Sequence, residues 1–157
     1  MPLVLVLDTN AFDSLVADDH TLALVEWACD TGRVRFEVTH VQEDQLAPLF
    51  ELKPEKAARI SRIPRTVVPT AGFLLGYAKL GAAALDDGEI IDVVRGDSGT
   101  PATTFDALIA STTERHGRIL VTNDGRLAER ASKAGVDVWP SDQLVEHLRL
   151  LFGDASA

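Results

Sequence analysis

An α/β fold with a mainly parallel central sheet is predicted by two short apolar runs and by the helical patterns that follow them. The runs Leu3–Leu7 and Ile119–Val121 are continuous and rich in Leu, Val and Ile, which is typical of strands buried on both faces. Each run ends in polar residues that favour helix caps, and apolar residues at helical spacing come next. Strands that alternate with helices in this way build parallel sheets covered by helices.

The first half of the chain supplies further elements of both kinds. Gly32 ends one helical pattern, and the alternation of apolar and charged residues after it predicts a strand nearer the sheet edge. Pro54 opens another short helix, which ends before Pro64. In chain order, the predicted elements are a helix around Phe12, a helix over 20–30, a strand over 34–38, a helix capped by Thr39 and a helix over 54–63.

The second half is clear only after residue 100. Thr66–Thr70 and the glycine-rich stretch to Gly99 give no consistent pattern, and Ile90–Val94 is compatible with a strand or with part of a helix. Thr100 and Pro101 then open a helix that carries Phe105, Leu108 and Ile109 on one face. Beyond the strand at 119–121, the predicted elements are a helix that Gly135 ends, a strand over 136–139 and a helix over 141–151.

Length and composition predict one domain, over residues 1–152, with a short flexible tail at 153–157. The 157 residues are 46% hydrophobic and 25% charged, close to an average globular protein, and Cys29 is the single cysteine. The apolar run at the start has five residues and no basic residue ahead of it, which excludes a signal peptide and a membrane span. A cytoplasmic protein is therefore expected.

The charge of the chain argues against a nonspecific binder of polyanions. Lys and Arg total 15 and Asp and Glu total 24, a formal net charge of −9. That argument weakens if several acids are gathered to hold divalent cations. One segment, 53–65, is locally basic. In it, Lys56, Arg59 and Arg62 recur every three residues and would form a stripe on one side of a helix. The stripe is either a solvated helix face or a rail that binds RNA phosphates.

Four acids are candidates for such a cluster. Asp8 and Asp124 each follow a predicted buried strand, and ligands of parallel sheets bind beyond the carboxyl ends of the strands. Asp44 and Asp106 lie near predicted helix starts. Each acid alone can cap a helix or favour its dipole, but four carboxylates together would repel one another unless a cation joined them. Oxygen ligands suit Mg²⁺ or Mn²⁺, which can activate a water against a phosphodiester.

The sequence resembles the PIN-domain family of metal-dependent ribonucleases, which includes toxins of toxin–antitoxin pairs. The resembling stretches are LVLVLDTN at the start and TTFDALIASTTERHGRILVTNDGRL at 103–127, and residues 64–100 are unmatched. The resemblance implies a PIN-like three-layer sandwich, α/β in class, with a central mainly parallel sheet flanked by helices. It implies that Asp8, Asp106 and Asp124 bind metal and that neighbouring polar residues shape the site, namely Thr9, Asn10, Thr122 and Asn123.

The family's remaining acid, usually a glutamate in the helix after the second strand, has two candidates here. Glu43 and Asp44 are adjacent, and a helix can aim only one of them at the site. Asp44 is preferred because it lies five residues beyond Thr39 and shares a face with Val41. Glu43 stays open as the alternative.

The function implied is cleavage of RNA phosphodiester bonds by a metal-dependent endoribonuclease. The predicted catalytic and metal-binding residues are Asp8, Asp44, Asp106 and Asp124, with Mg²⁺ or Mn²⁺ as cofactor. The expected partners are an RNA substrate and, by family analogy, an antitoxin protein; a homodimer is compatible with the resemblance. The alternative is a catalytically inactive PIN-fold module that acts through protein or RNA binding.

Two further classes place an aspartate after the first strand of a doubly wound sheet. Phosphatases use a second aspartate two residues on, where this chain has Asn10. Phosphoacceptor receiver domains carry their acids before the end of the first strand, not after a late strand as Asp124 does. Both also need a lysine near the end of a later strand, so neither class fits as well.

Overall fold

The computed structural model describes residues 1–69, 107, 109–110, 112–114 and 117–156. The predicted ligand Asp106 lies outside these residues, as do the predicted helix start at Thr100–Pro101 and the residues Phe105 and Leu108 of its apolar face.

The described strands form one five-stranded sheet in which every pairing is parallel, which confirms the predicted α/β class. The spatial order is β3-β2-β1-β4-β5. The strands are β1 (Leu3–Leu7), β2 (Val34–Thr39), β3 (Thr66–Val68), β4 (Ile119–Val121) and β5 (Asp137–Trp139).

Helices connect the strands. The described residues between 107 and 114 are also helical. The helices with defined bounds are α1 (Ala11–Leu15), α2 (Asp19–Asp30), α3 (His40–Leu46), α4 (Leu49–Leu52), α5 (Pro54–Ser61), α6 (Gly125–Lys133) and α7 (Ser141–Ser156). Within the described parts of the chain, no helix has the length and apolar character needed to cross a membrane.

Two hydrophobic cores cover the two faces of the sheet. Leu5 and Leu7 of β1 belong to the first core, whereas Val6 between them belongs to the second, because successive side chains of a strand point to opposite faces. The first core is closed by α1, α2 and α7. The second is closed by α6 and by the helical residues around Ile109. This is the three-layer arrangement that the sequence predicts.

The register brings the carboxyl ends of the central strands to one edge. Leu7 of β1 lies opposite Val121 of β4, and Val121 lies opposite Trp139 of β5. The chain continues this pairing past the strands: the Asp8 amide donates to the Val121 carbonyl at 2.9 Å, and the Thr122 amide donates to the Trp139 carbonyl at 3.0 Å. The residues after β1 and β4 are therefore held side by side.

The last helix is longer than predicted. Helix α7 runs to Ser156, five residues beyond the predicted end at 151, and includes residues 153–156 of the predicted tail. The helix continues through Gly153, since a single glycine in a helix costs only about 1 kcal/mol. Helix α4 and strand β3 are additions, since both fall in stretches too short to show a period.

Candidate active site

The first predicted ligand, Asp8, is buried at the carboxyl end of β1, with 7% of its surface exposed. Its Oδ1 accepts a hydrogen bond from the Thr9 amide at 2.8 Å, and its Oδ2 accepts one from the Thr122 hydroxyl at 2.8 Å. Two donors therefore fix the carboxylate in place, and each oxygen keeps a lone pair for another partner.

Burial raises the pKa of the Asp8 carboxyl, and the nearby negative charge of Asp124 raises it further. The hydrogen bonds from Thr122 and Thr9 oppose this shift without cancelling it. In the part of the chain that the structure describes, no lysine, arginine or histidine nitrogen lies within 4 Å of either carboxylate. Among the described residues, only hydrogen bonds compensate the charge on Asp8.

Asp124 follows β4 and begins α6. Its Oδ1 accepts hydrogen bonds from the backbone amides of Arg126 at 2.9 Å and Leu127 at 3.2 Å, so the side chain caps the helix. The capping reading of Asp124 is therefore correct. It does not exclude a second role, because the described residues make no hydrogen bond to Oδ2.

Thr122 and Asn10 join the two acids. The Thr122 hydroxyl donates to Asp8 and accepts from the Asp124 amide at 3.0 Å. Asn10 Oδ1 accepts from the Asn123 amide at 3.0 Å. The resemblance implies that four polar residues shape the site, and all four belong to one hydrogen-bond network at this edge. They are Thr9, Asn10, Thr122 and Asn123.

Two serines extend the network and were not predicted. Asn123 Nδ2 donates to Ser14 Oγ at 3.2 Å, and its Oδ1 accepts from the Ser141 amide at 3.0 Å. Ser141 Oγ lies 2.8 Å from Ser14 Oγ and 2.7 Å from Asn123 Oδ1. These contacts tie α1, the loop after β4 and the start of α7 together. Lone serines carry no sequence signal that could have indicated them.

The third missed residue is Gln42 on α3, which is fully buried. Its side-chain amide donates to the Leu7 carbonyl, directly before Asp8, and its Oε1 accepts from the Thr39 amide at 2.5 Å. Gln42 is the third helical residue after the cap Thr39, and the two form a reciprocal capping box. That Thr-x-x-Gln pattern could have been read from the sequence.

The two candidates for the middle acid lie elsewhere on α3. Both carboxylate oxygens of Glu43 pair with Arg65, at 2.5 Å and 3.3 Å. Asp44 is exposed and lies about 200° around the helix from Gln42. It follows Val41 by three residues, and Val41 packs in the second core together with Val6 and Ala107. Asp44 therefore stands on the second-core flank of α3.

The described residues supply part of the oxygen ligands that a divalent metal ion needs. Among them, no three His, Cys, Asp or Glu side chains come close enough together to hold an ion. Asp8 and Asp124 supply two carboxylates, and Mg²⁺ in proteins is commonly held by one or two carboxylates with water and substrate phosphates completing the shell. The donor set consists of oxygen atoms, which suits Mg²⁺ or Mn²⁺. Asp106 immediately precedes Ala107, which is buried against the same face of the sheet as Val6.

A groove of about 430 Å³ opens beside Asp124. It runs between one flank of α6, at Gly125, Ala128 and Ser132, and the end of β5, at Val138 and Pro140. The acid edge therefore borders a concave surface.

The basic stripe on α5 is occupied by ion pairs. Each of its residues pairs with an acid of α1 or α2, and the Arg62–Glu26 pair is bidentate, with both distances 2.8 Å. The pairs are Lys56–Asp13, Arg59–Asp19, Arg62–Glu26 and Arg65–Glu43. Lys56, Arg59 and Arg62 therefore link α5 to α1 and α2, and Arg65, beyond the end of α5, reaches α3. The interpretation of the stripe as a binding surface for RNA phosphates stays a prediction, but acids already engage its three cations.

Comparison with solved structures identifies the fold. PAE2754 from Pyrobaculum aerophilum matches with a TM-score of 0.53 and 18% identity, over 96% of this chain and 99% of that one. VapBC-1 from nontypeable Haemophilus influenzae matches with a TM-score of 0.50 and 13% identity, over 89% and 99%. The chain has a PIN-domain fold. A PilT N-terminus domain protein, SSO1118 from Sulfolobus solfataricus P2, matches more weakly, with a TM-score of 0.45, 12% identity and 93% of each chain covered.

The PIN fold confirms the resemblance that the two sequence stretches carry. At these identities the likeness concerns the fold, and the roles of Asp8, Asp44, Asp106 and Asp124 stay predictions. No protein-family model and no curated protein matches the sequence.

Proposed function

We propose that this PIN-fold protein is a divalent-metal-dependent endoribonuclease with its active site at the carboxyl ends of β1 and β4. The observation that carries the proposal is the pair Asp8 and Asp124: two carboxylates meet at one sheet edge, one of them is buried, and no described cationic side chain accompanies either. Buried charges are stable in proteins when they are paired or bind metal.

Asp8 and Asp124 would hold the ion, together with Asp106 and with Asp44 as the middle acid. The bound ion would supply Lewis-acid activation of a water and stabilisation of charge on the phosphodiester. The chain's own contribution is positioning. Thr122 and Thr9 hold the Asp8 carboxylate in one orientation, and Gln42 anchors the Leu7 carbonyl beside it. The site needs no serine or cysteine nucleophile.

The test is cleavage of a panel of labelled RNAs by the purified protein in Mn²⁺, in Mg²⁺ and in chelator. Cleavage in either metal, lost in chelator and in Asp8→Asn, supports the proposal. Asp137→Asn is a matched control, because Asp137 is an exposed aspartate at the amino end of β5, away from the site. Absence of cleavage of every RNA in both metals would sink the proposal.

The middle acid is decided by a second pair of variants. Asp44→Asn is expected to reduce cleavage strongly. Glu43→Gln is expected to weaken the contact with Arg65 and leave cleavage close to that of the wild type. The opposite order would transfer the role to Glu43.

An antitoxin partner is part of the proposal, because VapBC-1 is a toxin–antitoxin complex and shares the fold. Expression of the wild-type chain would then arrest growth of a host cell, and Asp8→Asn would not. The alternative is a PIN-fold module without catalysis. It draws support from the neutral Gln42 beside Asp8, and binding of RNA without turnover in any metal would favour it.

A further inference from the structure

An RNA substrate needs cations near this acid edge, because the chain is strongly negative and the two carboxylates repel phosphates. The α5 stripe does not supply them, since its cations are already paired. Of the twelve lysines and arginines that the structure describes, four make no ion pair with the described residues: Arg33, Lys53, Arg126 and Arg130.

Two of these four share one helix, and that helix begins at the candidate site. Arg126 lies two residues after Asp124, and Arg130 follows it by one turn, a rise of about 6 Å along the axis. Arg33 precedes β2 at the opposite end of the sheet and stacks over Trp27 at 5.4 Å. Lys53 follows α4.

The arginines also occupy a defined flank of α6. Leu127 and Ala131 face the second core, and each arginine directly precedes one of them. The helix has one acid of its own, Glu129, and Lys133 already pairs with it at 2.8 Å. Neither Arg126 nor Arg130 makes an ion pair with a described acid, and Arg130 interacts with Glu129 only at longer range.

We propose that a single-stranded RNA held at the acid edge runs along α6 with successive phosphates on Arg126 and Arg130. Arginine suits this role because its planar guanidinium can donate two parallel hydrogen bonds to a phosphate. The contacts would be made to the backbone and would position the strand without reading its sequence. This inference rests on the proposed function.

The test compares two double variants that each remove two unpaired charges. One is Arg126→Gln with Arg130→Gln, and the control is Arg33→Gln with Lys53→Gln. Binding of an end-labelled single-stranded RNA is measured by fluorescence anisotropy over a range of salt concentrations, with Asp8→Asn present in every protein to prevent cleavage. The α6 variant is expected to bind about tenfold more weakly, and its slope of log affinity against log salt to be shallower by about 1.4, or roughly 0.7 for each lost contact.

The control variant is expected to keep the affinity and slope of its parent. Equal losses in both double variants would show that only net charge matters and would overturn the assignment to α6, as would an unchanged slope in the α6 variant. A parent that binds no RNA would overturn it too.

A kinetic readout separates this inference from the proposed function. With Asp8 restored, the α6 variant should cleave RNA with a raised KM and a nearly unchanged kcat. Cleavage by the wild type together with an unchanged KM in the variant would refute the inference alone. RNA binding that depends on α6, without cleavage in any metal, would refute the nuclease and leave the inference standing.

Discussion

Asp8 and Asp124 follow neighbouring strands of one sheet, yet their surroundings differ. Asp8 is buried, accepts one hydrogen bond on each oxygen and has a raised pKa because burial disfavours its charge. Asp124 is half-buried and directs one oxygen to two amides at the start of α6. Asp124 stabilises the fold through its helix-capping hydrogen bonds, whereas the charge of Asp8 opposes folding.

Two aspartates at equivalent positions in one sheet can therefore change the free energy of folding in opposite directions. Helix capping is a sufficient structural reason for Asp124. For Asp8 the fold offers no such reason, since a neutral side chain of the same shape would be easier to bury. Asp8 is therefore the stronger sign of a function that needs negative charge.

The largest expected effect of replacing Asp8 or Asp124 is the loss of RNA cleavage. Asp8→Asn and Asp124→Asn should each lower kcat by about 10²–10³-fold, the loss typical of removing one electrostatic group from an active site. The loss should be greater for Asp8, because each of its oxygens accepts only one hydrogen bond, whereas Oδ1 of Asp124 already accepts two. A panel of single-turnover rates in saturating Mn²⁺ measures it. A larger loss at Asp124 would mean that its cap is secondary to its role in the site.

A further carboxylate near Asp8 should destabilise the metal-free protein. Gln42→Glu removes the donor to the Leu7 carbonyl and buries another acid. We expect the free energy of unfolding of the metal-free protein to fall by about 1–3 kcal/mol, the usual penalty for an unsatisfied buried polar group. Urea denaturation in chelator measures this.

The matched control for that variant is Gln45→Glu. Gln45 is exposed on the same helix and uses only its Oε1, which accepts from the Thr9 hydroxyl and which glutamate retains. A wild-type unfolding free energy for Gln42→Glu would show that the interaction with Leu7 is unimportant.

The cap at Asp124 predicts a smaller effect, on stability alone. Asp124→Ala should lower the free energy of unfolding by about 1 kcal/mol, whereas Asp124→Asn should nearly preserve it, because asparagine caps helices about as well as aspartate. Denaturation midpoints of the two variants in chelator provide the measurement. Equal losses in both would assign the stabilisation to the charge and not to the hydrogen bonds.

The last difference between the two acids appears as a dependence on pH. Because the pKa of Asp8 is raised in the folded protein, the folded state binds more protons than the unfolded state between the ordinary aspartate pKa of about 3.9 and the raised value. The contribution of Asp8 to the stability of the metal-free wild type should therefore fall as pH rises through that window, and Asp8→Asn should lack this contribution.

The asparagine can be accommodated, because the Thr122 hydroxyl can turn to accept from its amide. At neutral pH without metal, Asp8→Asn should then be the more stable protein, and below the window the advantage should disappear. Thermal melts in chelator across this pH range measure both. A constant difference at every pH would contradict the predicted linkage. Added Mn²⁺ should raise the melting temperature of the wild type and leave that of the variant unchanged.

The sequence predicts the apposition of Asp8 and Asp124 for a simple reason. Both follow short buried strands, and parallel pairing aligns strand ends without any knowledge of side-chain packing. Local patterns also predict Thr39 as a helix cap, because capping depends on residues a few positions apart.

Features that depend on tertiary docking are not predictable in this way. The spacing of Lys56, Arg59 and Arg62 indicates a stripe, but their partners Asp13, Asp19 and Glu26 are set by how α5 packs against α1 and α2. Gln42 is likewise absent from the predicted site, because its side chain is neutral and the prediction rests on acidic residues. Its role follows from a carbonyl 35 residues earlier in the chain.

The hydrogen bonds of the candidate site also constrain when it can form during synthesis. Asp8 and its partner Thr122 are 114 residues apart, and Ser14 and Ser141 are 127 residues apart. Contacts this distant raise the loop-closure entropy that folding must overcome and slow the step that makes them. On the ribosome, β1 emerges long before its neighbour β4 exists. The nascent chain therefore carries an incomplete site until α7 has begun to leave the exit tunnel.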